Sequence, residues 1–209
     1  MLPQASKRVP LLLLISAPSG AGKTTLCYNL LNQVQGLTRA ITCTTRPPRK
    51  GEINGQDYYF LDETTFINHV KNGDFIEHAV VYGHHYGVLR SELINKLSSG
   101  YDVLLNVDVQ GAATIREKAR TDPTLSRALV TIFMCPPSLA ELERRIKNRG
   151  TDSEQVIHLR LNQAKNEMTR WVEFDYLLIS GTMEEDVQRV IAIMQAERMR
   201  TSRIKSLEL

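Results

Sequence analysis

Eight consecutive residues carry the most explicit chemistry in the chain. Ala17-Pro18-Ser19-Gly20-Ala21-Gly22-Lys23-Thr24 lie between a run of apolar residues and a helical pattern. Glycines let successive backbone N–H groups curve round a phosphate, and the N-terminus of the following helix adds a partial positive charge. Lys23 can then bridge the outer phosphates, and the Thr24 hydroxyl can ligate Mg²⁺. The stretch matches the Walker A pattern, with Ala17 in place of the leading Gly. A Gly-rich turn with a chance Lys-Thr pair is the competing reading, and the order strand, loop, helix argues against it. Ala17, Pro18, Ser19, Gly20, Ala21, Gly22, Lys23, Thr24 and Thr25 are therefore the candidate phosphate ligands of a nucleoside triphosphate. The acid expected near Mg²⁺ belongs at the end of a neighbouring buried strand, and Leu104-Leu105-Asn106-Val107-Asp108 supplies Asp108. The same residue suits the N-cap of the next helix, and the two roles are compatible.

A second cluster holds Thr42, Arg46, Arg49, Tyr58, Glu77 and Tyr86. Arg46 and Arg49 flank Pro47-Pro48 on a stiffened loop, where planar guanidiniums can grip a phosphate bidentately. Alone, such a loop is more often a solvated turn; following a phosphate-binding loop, the grip is favoured. A third group, Arg145, Arg149 and Arg160, surrounds a break at Gly150 between two helices. Arg145 and Arg149 are i and i+4 on one face, whereas Arg144 and Lys147 fall elsewhere and read as solvated. A basic helix end usually compensates the helix dipole; with triphosphate nearby, presentation of cations to it is the favoured role.

These residues need a scaffold. Residues 11–16 form an apolar run of strand length, as expected for a strand buried on both faces of a parallel sheet, and 24–34 read as a helix. Further strands are expected at 101–107, 128–134 and 176–179, separated by helices at about 109–120, 138–148, 154–169 and 184–200. That alternation implies an α/β fold with a parallel sheet. The stretch 42–97 breaks the rhythm with short β-like pieces at Tyr58-Tyr59-Phe60 and 75–82 and turn signals at Asn54-Gly55 and Tyr82-Gly83, so it reads as a small mixed insert. Gly150 suits a helix C-terminal cap and Asp152 or Ser153 an N-cap. His84-His85 read as an exposed turn pair, Arg198, Arg200, Arg203 and Lys205 as a solvated helix end, and Trp171 with Phe174 and Tyr176 as packing.

Composition narrows the class. A chain of 209 residues, 42% apolar and 23% charged, suits one compact unit. Its net charge of +3 argues against a dedicated nucleic-acid binder. Cys27, Cys43 and Cys135 are odd in number and widely spaced, which suggests neither a disulfide framework nor a zinc site and fits a reducing cytosol. Lys7-Arg8 and the apolar stretch after it make a poor export signal, since removal would run into the phosphate loop. No apolar stretch approaches the length of a membrane span.

Seven segments carry a close resemblance to the guanylate kinases, in the family's order across nearly the whole chain. They are Ser16-Ala-Pro-Ser-Gly-Ala-Gly-Lys-Thr-Thr-Leu26, Thr44-Thr-Arg-Pro-Pro-Arg-Lys-Gly-Glu-Ile-Asn-Gly-Gln-Asp-Tyr58, Phe75-Ile-Glu-His-Ala79, Tyr86-Gly87, Val107-Asp-Val-Gln-Gly111, Pro136-Pro-Ser138 and Arg149-Gly150. The second is highly specific. The resemblance implies a P-loop nucleoside monophosphate kinase fold: an α/β unit with a parallel five-stranded core sheet flanked by helices, a small mixed α/β GMP-binding insert and a helical lid. Residues 1–209 then form one unit, with core at 9–41, 98–144 and 170–209, insert at 42–97 and lid at 145–169. It further implies Mg²⁺-dependent transfer of the terminal phosphoryl group of ATP to GMP, and to dGMP, giving ADP and GDP. That activity belongs to purine nucleotide metabolism and GMP recycling in the cytoplasm.

By the same resemblance Lys23, Arg145, Arg149 and Arg160 are catalytic and Thr24 and Asp108 serve Mg²⁺. Thr42, Arg46, Arg49, Tyr58, Glu77, Tyr86 and Asn106 bind GMP. Arg46, Arg49, Tyr58 and Tyr86 hold its phosphate and Glu77 reads guanine. An ionised carboxylate accepts from guanine N1–H and the exocyclic NH₂ together, whereas adenine sets its N1 lone pair against it. Three positions depart from the family's pattern: Val88 where a Ser or Thr hydroxyl is usual, Asn106 where an Asp is usual, and Ser180 where many relatives have an Asn against the adenine ring. Two other readings stand beside this one: an inactive guanylate-kinase-like interaction module, and a P-loop kinase with a different acceptor. Neither a nucleic-acid nor a membrane partner is expected, and monomer and homo-oligomer stay open.

Overall fold

The computed structural model describes residues 6–81, 83–147 and 154–207. The chain begins with β1 (Ser6–Arg8), β2 (Leu12–Ser16), α1 (Lys23–Gln33), β3 (Leu37–Arg39), β4 (Cys43–Thr44), β5 (Tyr59–Phe60), α2 (Glu63–Asn72), β6 (Phe75–Val81) and β7 (His84–Leu89). It continues through α3 (Arg90–Ser98), β8 (Asp102–Asn106), α4 (Val109–Thr121), α5 (Pro123–Ala128) and β9 (Leu129–Cys135). The last elements are α6 (Leu139–Lys147), α7 (Glu154–Met168), β10 (Tyr176–Ile179), α8 (Met183–Arg198) and β11 (Ile204–Leu207).

β2 is the middle strand of a five-stranded parallel sheet ordered β10-β9-β2-β8-β3, as the resemblance implied. Its five residues are all buried, which explains why the run is continuously apolar rather than alternating. Leu11, Leu13 and Ile15 pack on one face against Leu26 and Leu30 of α1 and Val187, Val190 and Met194 of α8. Leu12 and Leu14 pack on the other against Ala112 and Ile115 of α4 and Leu125 of α5. The carboxyl ends of β2 and β8 open into residues 17–22 and 107–108, the edge where an open parallel sheet places its ligands. β3, with three residues, is too short to leave a periodic signal.

The insert has its own sheet, ordered β5-β4-β7-β6. Its small core is Cys43, Phe66 and Phe75, with the two rings stacked 4.5 Å apart. Asp62 caps α2 by accepting from Thr65 N–H, and Gly73 ends it in the left-handed region at φ 71°.

Three expectations need correction. Of the C-terminal cations, Arg200 and Lys205 are exposed as expected, but Arg198 and Arg203 are not solvated. Arg198 and Arg8 both donate to the fully buried carboxylate of Asp102, which also accepts Leu11 N–H at 2.7 Å. Arg203 is buried against Glu197, and β11 pairs antiparallel with β1. Burial alone pushes the Asp102 carboxyl up, but these hydrogen bonds bring it below its ordinary 3.8. Its stabilising contribution is thus present above that value and fades as pH falls through the lowered one. Breaking such a buried ion pair from one side typically costs about 3–5 kcal/mol. His84 and His85 are half-buried in β7, with the His85 ring 5.1 Å from Phe66. Phe174 packs on Phe133, while Trp171 is 46% exposed. Tyr82 and residues 148–153, with the expected caps at Gly150, Asp152 and Ser153, lie outside the described residues. Among the described residues no helix is long and apolar enough to cross a membrane.

Candidate active site

Residues 17–22 turn from β2 into α1 through two left-handed glycines, Gly20 at φ 90° and Gly22 at φ 100°. A side chain at Gly20 is excluded twice over, because its Cβ would come within 2.9 Å of Ile146 in α6. The loop borders a cleft of about 430 Å³ lined by every residue from Ala17 to Thr25 and by Asp108, Arg160, Gln163 and Glu167. The nine predicted phosphate ligands, the predicted metal acid and one predicted lid arginine therefore meet in one cavity.

Lys23 opens α1, and its ammonium donates to Val107 O at 2.5 Å. Burial pulls its pKa down, with Cys27, Asp108 and Glu167 opposing. Asp108 caps α4 by accepting Gly111 N–H at 2.7 Å and faces the cleft at the same time, so both roles seen in the sequence fit its position.

α6 and α7 form a helical pair with a small core of Leu142, Ile146 and Ala164. Arg145 spans from this pair to the loop, donating to Ala21 O at 2.9 Å and to Glu141 at 2.8 Å. Two hydrogen bonds from Arg144 and the one from Arg145 hold the Glu141 carboxyl down at about 2. Arg144 and Lys147 are exposed and paired within their own helix, as expected. Arg149 lies outside the described residues. Gln163 and Glu167 were missed: they follow Arg160 at i+3 and i+7 on one face of α7, a periodic signal that reading the helix for arginine alone overlooks. Burial raises the Glu167 pKa against the Ser19 N–H and Gln163 amide, which favour its charge.

A second cavity of about 260 Å³ lies between α1 and the insert, lined among others by Thr24, Arg39, Thr42, Tyr58, Val88 and Asn106. Thr24 belongs to both cavities, so they adjoin at the first turn of α1.

The arginine loop is built on hydrogen bonds of its threonines. Thr44 Oγ1 donates to His85 O and accepts Arg46 N–H, while Thr45 Oγ1 accepts His85 N–H, which fixes the loop beside Tyr86. Arg46 lies 5.4 Å over the Tyr58 ring, whose centroid is 6.1 Å from that of Tyr86. Its guanidinium is held by both oxygens of Glu52, at 2.8 and 3.0 Å, and the same carboxylate accepts Arg49 N–H at 2.7 Å. The hydrogen bonds that Arg46 donates to Glu52 and to Tyr86 raise its pKa. Arg49 itself is exposed.

Glu77 stands apart from the second cavity. It sits opposite Val88 in the β6–β7 ladder and against the first turn of α4, where a Cβ on Gly111 would be 3.3 Å from its carboxylate carbon. Burial, then the charge of Asp108, push its pKa up to about 7, with Lys118 opposing. No hydrogen bond enters that balance, which is one of burial and charge alone.

A parallel sheet whose middle strand feeds a glycine loop and lysine, next to a second cleft, defines a P-loop phosphotransferase. The sequence model of the family described as Guanylate kinase matches residues 10–197. The guanylate kinase of Nitrobacter winogradskyi is 44% identical over 197 residues, 94% of this chain and 87% of the relative. That of Thermotoga maritima is 39% identical over 192 residues, 92% and 89% of the two chains. Among solved structures, guanylate kinase from Anaplasma phagocytophilum superposes with a TM-score of 0.72 at 34% identity, covering 96% of this chain and 92% of that one. The chain belongs to the guanylate kinase family.

Proposed function

We propose that the chain is an ATP:GMP phosphotransferase that moves the terminal phosphoryl group of ATP onto GMP, giving ADP and GDP. One observation carries the reading beyond family membership: a phosphate-loop cleft and an acceptor cleft adjoin at Thr24. Phosphoryl transfer asks the protein for alignment and cations rather than covalent chemistry, and adjoining clefts supply the alignment.

In this reading the backbone N–H groups of residues 19–25 cradle the donor phosphates, with Ala17 and Pro18, which has no N–H, shaping the start of the loop, and Lys23 moves from Val107 O onto the outer ones. Arg145 and Arg160, with Arg149, bring lid cations to the transferring group, and closure of α6–α7 excludes water. Arg46, Arg49, Tyr58 and Tyr86 fix the GMP phosphate, and Glu77, Thr42 and Asn106 take the nucleoside. Thr24 and Asp108 offer hard oxygen ligands on one cleft, a set that suits Mg²⁺. Bound there, the ion supplies neutralisation of charge on the donor phosphates. The intact loop with its left-handed glycines speaks against a peptide-binding module without turnover. A cytoplasmic location accords with three free thiols, of which Cys27 and Cys43 are raised to about 12 by burial. ADP release on mixing the protein with ATP, Mg²⁺ and GMP tests the proposal; no release with all three present refutes it.

Val88 is buried among apolar neighbours and brings no hydroxyl to the acceptor cavity. One neutral hydrogen bond is worth about 1 kcal/mol, a factor of about five. Val88→Thr is therefore expected to lower KM for GMP by up to about fivefold, and an unchanged KM means that the base is read without this position.

A further inference from the structure

The chain enters the acceptor insert through Ile41 and Thr42 and leaves it along α3. Glu92, in the first turn of α3, is a buried carboxylate with three donors. Its Oε1 accepts Ile41 N–H at 3.0 Å and lies 2.7 Å from Lys96 Nζ, and its Oε2 accepts the Tyr59 hydroxyl at 3.1 Å. Ile41 and Tyr59 are the chain neighbours of Thr42 and Tyr58. The two segments also meet directly, since Tyr59 N–H donates to Thr42 O at 3.0 Å and β4 pairs with β5.

The same cluster reaches the core. Lys96 Nζ donates to Arg39 O at 2.7 Å, and the Arg39 side chain, at the end of β3, donates to the carbonyls of Gln56 and Asp57, the two residues before Tyr58. One buried carboxylate thus ties the entry segment before β4, the strand that follows Tyr58 and the exit helix, at two points one residue away from a proposed acceptor ligand. Burial and the Glu92 charge raise the Tyr59 pKa, which keeps its hydroxyl a donor. A carboxylate desolvated to this degree is retained only with its donors in place, so the three segments are held in one arrangement.

We propose that Glu92 is a positioning residue for the acceptor nucleotide, setting Thr42 and Tyr58 through Ile41 and Tyr59 without touching substrate. The inference rests on the reading of 42–97 as the acceptor insert. It separates from a purely structural role because the donor cleft lacks every member of the cluster. Loss of Glu92 should then weaken GMP and spare ATP, whereas general loosening would weaken both.

The test measures KM for GMP and for ATP, and calorimetric binding of GMP to the ATP-free protein, in wild type, Glu92→Gln, Tyr59→Phe and the double variant. Glutamine keeps the shape but turns an amide toward Lys96 or Tyr59. Glu92→Gln is expected to raise both GMP constants about tenfold, the scale of a hydrogen bond to a buried charge, with KM for ATP within about twofold. Tyr59→Phe should shift GMP the same way by less, and the double variant should be no weaker than Glu92→Gln alone. Unchanged GMP constants in folded Glu92→Gln, or equal rises for both nucleotides, overturn the proposal. Should Glu92→Gln not fold, Tyr59→Phe decides, and an unchanged KM for GMP there overturns it. No GMP binding by the wild type overturns the functional reading and this inference with it; normal wild-type binding with indifferent variants overturns this inference alone.

Discussion

Lys23→Ala is expected to lower kcat for phosphoryl transfer by about a thousandfold or more, the scale reported for removing a preorganised charge from a phosphoryl-transfer site. Lys23 is the residue at which three requirements coincide. It is the first residue of α1, it follows the left-handed Gly22, and its ammonium lies in the same cleft as Asp108 and Arg160. Burial lowers its pKa, so the charge is desolvated and acts at low screening on any phosphate brought beside it. Alanine is the best helix former and leaves α1 intact, so the loss is chemical rather than structural. GMP binding measured calorimetrically without ATP should stay within about twofold of wild type, because the proposed acceptor ligands stand outside this cleft. A variant that keeps wild-type turnover refutes the role.

Glu77→Gln is expected to raise KM for GMP by about a hundredfold and to flatten its pH dependence, since two charge-assisted hydrogen bonds are replaced by one neutral bond and one opposed pair of donors. The sign of the pH effect follows from a carboxyl raised to about 7 in the empty site by burial and by Asp108. Guanine needs the ionised form. KM for GMP in the wild type should therefore be flat above about pH 7 and rise as pH falls below it, approaching tenfold per unit, while the glutamine variant shows no such limb. Stability runs the other way. A raised carboxyl binds its proton more tightly when folded, so ionisation of Glu77 destabilises the empty protein as pH rises from the ordinary 4.5 toward 7. Glu77→Gln should hence melt higher than wild type at pH 8 without nucleotide, a lower melting point being the contrary result.

Much of this was legible in the sequence because strong local chemistry and strong periodicity coincided. The 17–24 loop can close only with glycines at the left-handed positions, and β2, β8 and β9 read as apolar runs because both of their faces are covered, whereas β10, at the sheet edge, is equally apolar but leaves Leu177 and Ile179 exposed. What stayed hidden depends on contacts between distant segments. β3 becomes a strand only by pairing with β8. Arg8 and Arg198 are cations like any others until Asp102 is seen buried between them, 94 and 96 residues away. Glu92 and Arg39 carry no motif, yet they fix the segments that hold Thr42 and Tyr58. Glu167 and Gln163 were within reach through helical spacing and were passed over for the arginine beside them. Glu77 stands out in the sequence as a candidate, but its displaced pKa does not, because that comes from burial, beside the α4 turn at Gly111, and then from the charge of Asp108.

Identification of products tests the central claim most directly. The protein is incubated with ATP, Mg²⁺ and, separately, GMP, dGMP, AMP, UMP and CMP, and the nucleotides are separated by chromatography. ADP and GDP are expected in equal amounts from ATP and GMP, with turnover of dGMP and far slower turnover of AMP, UMP and CMP. No GDP from GMP, or preferential phosphorylation of AMP, UMP or CMP, would contradict that claim.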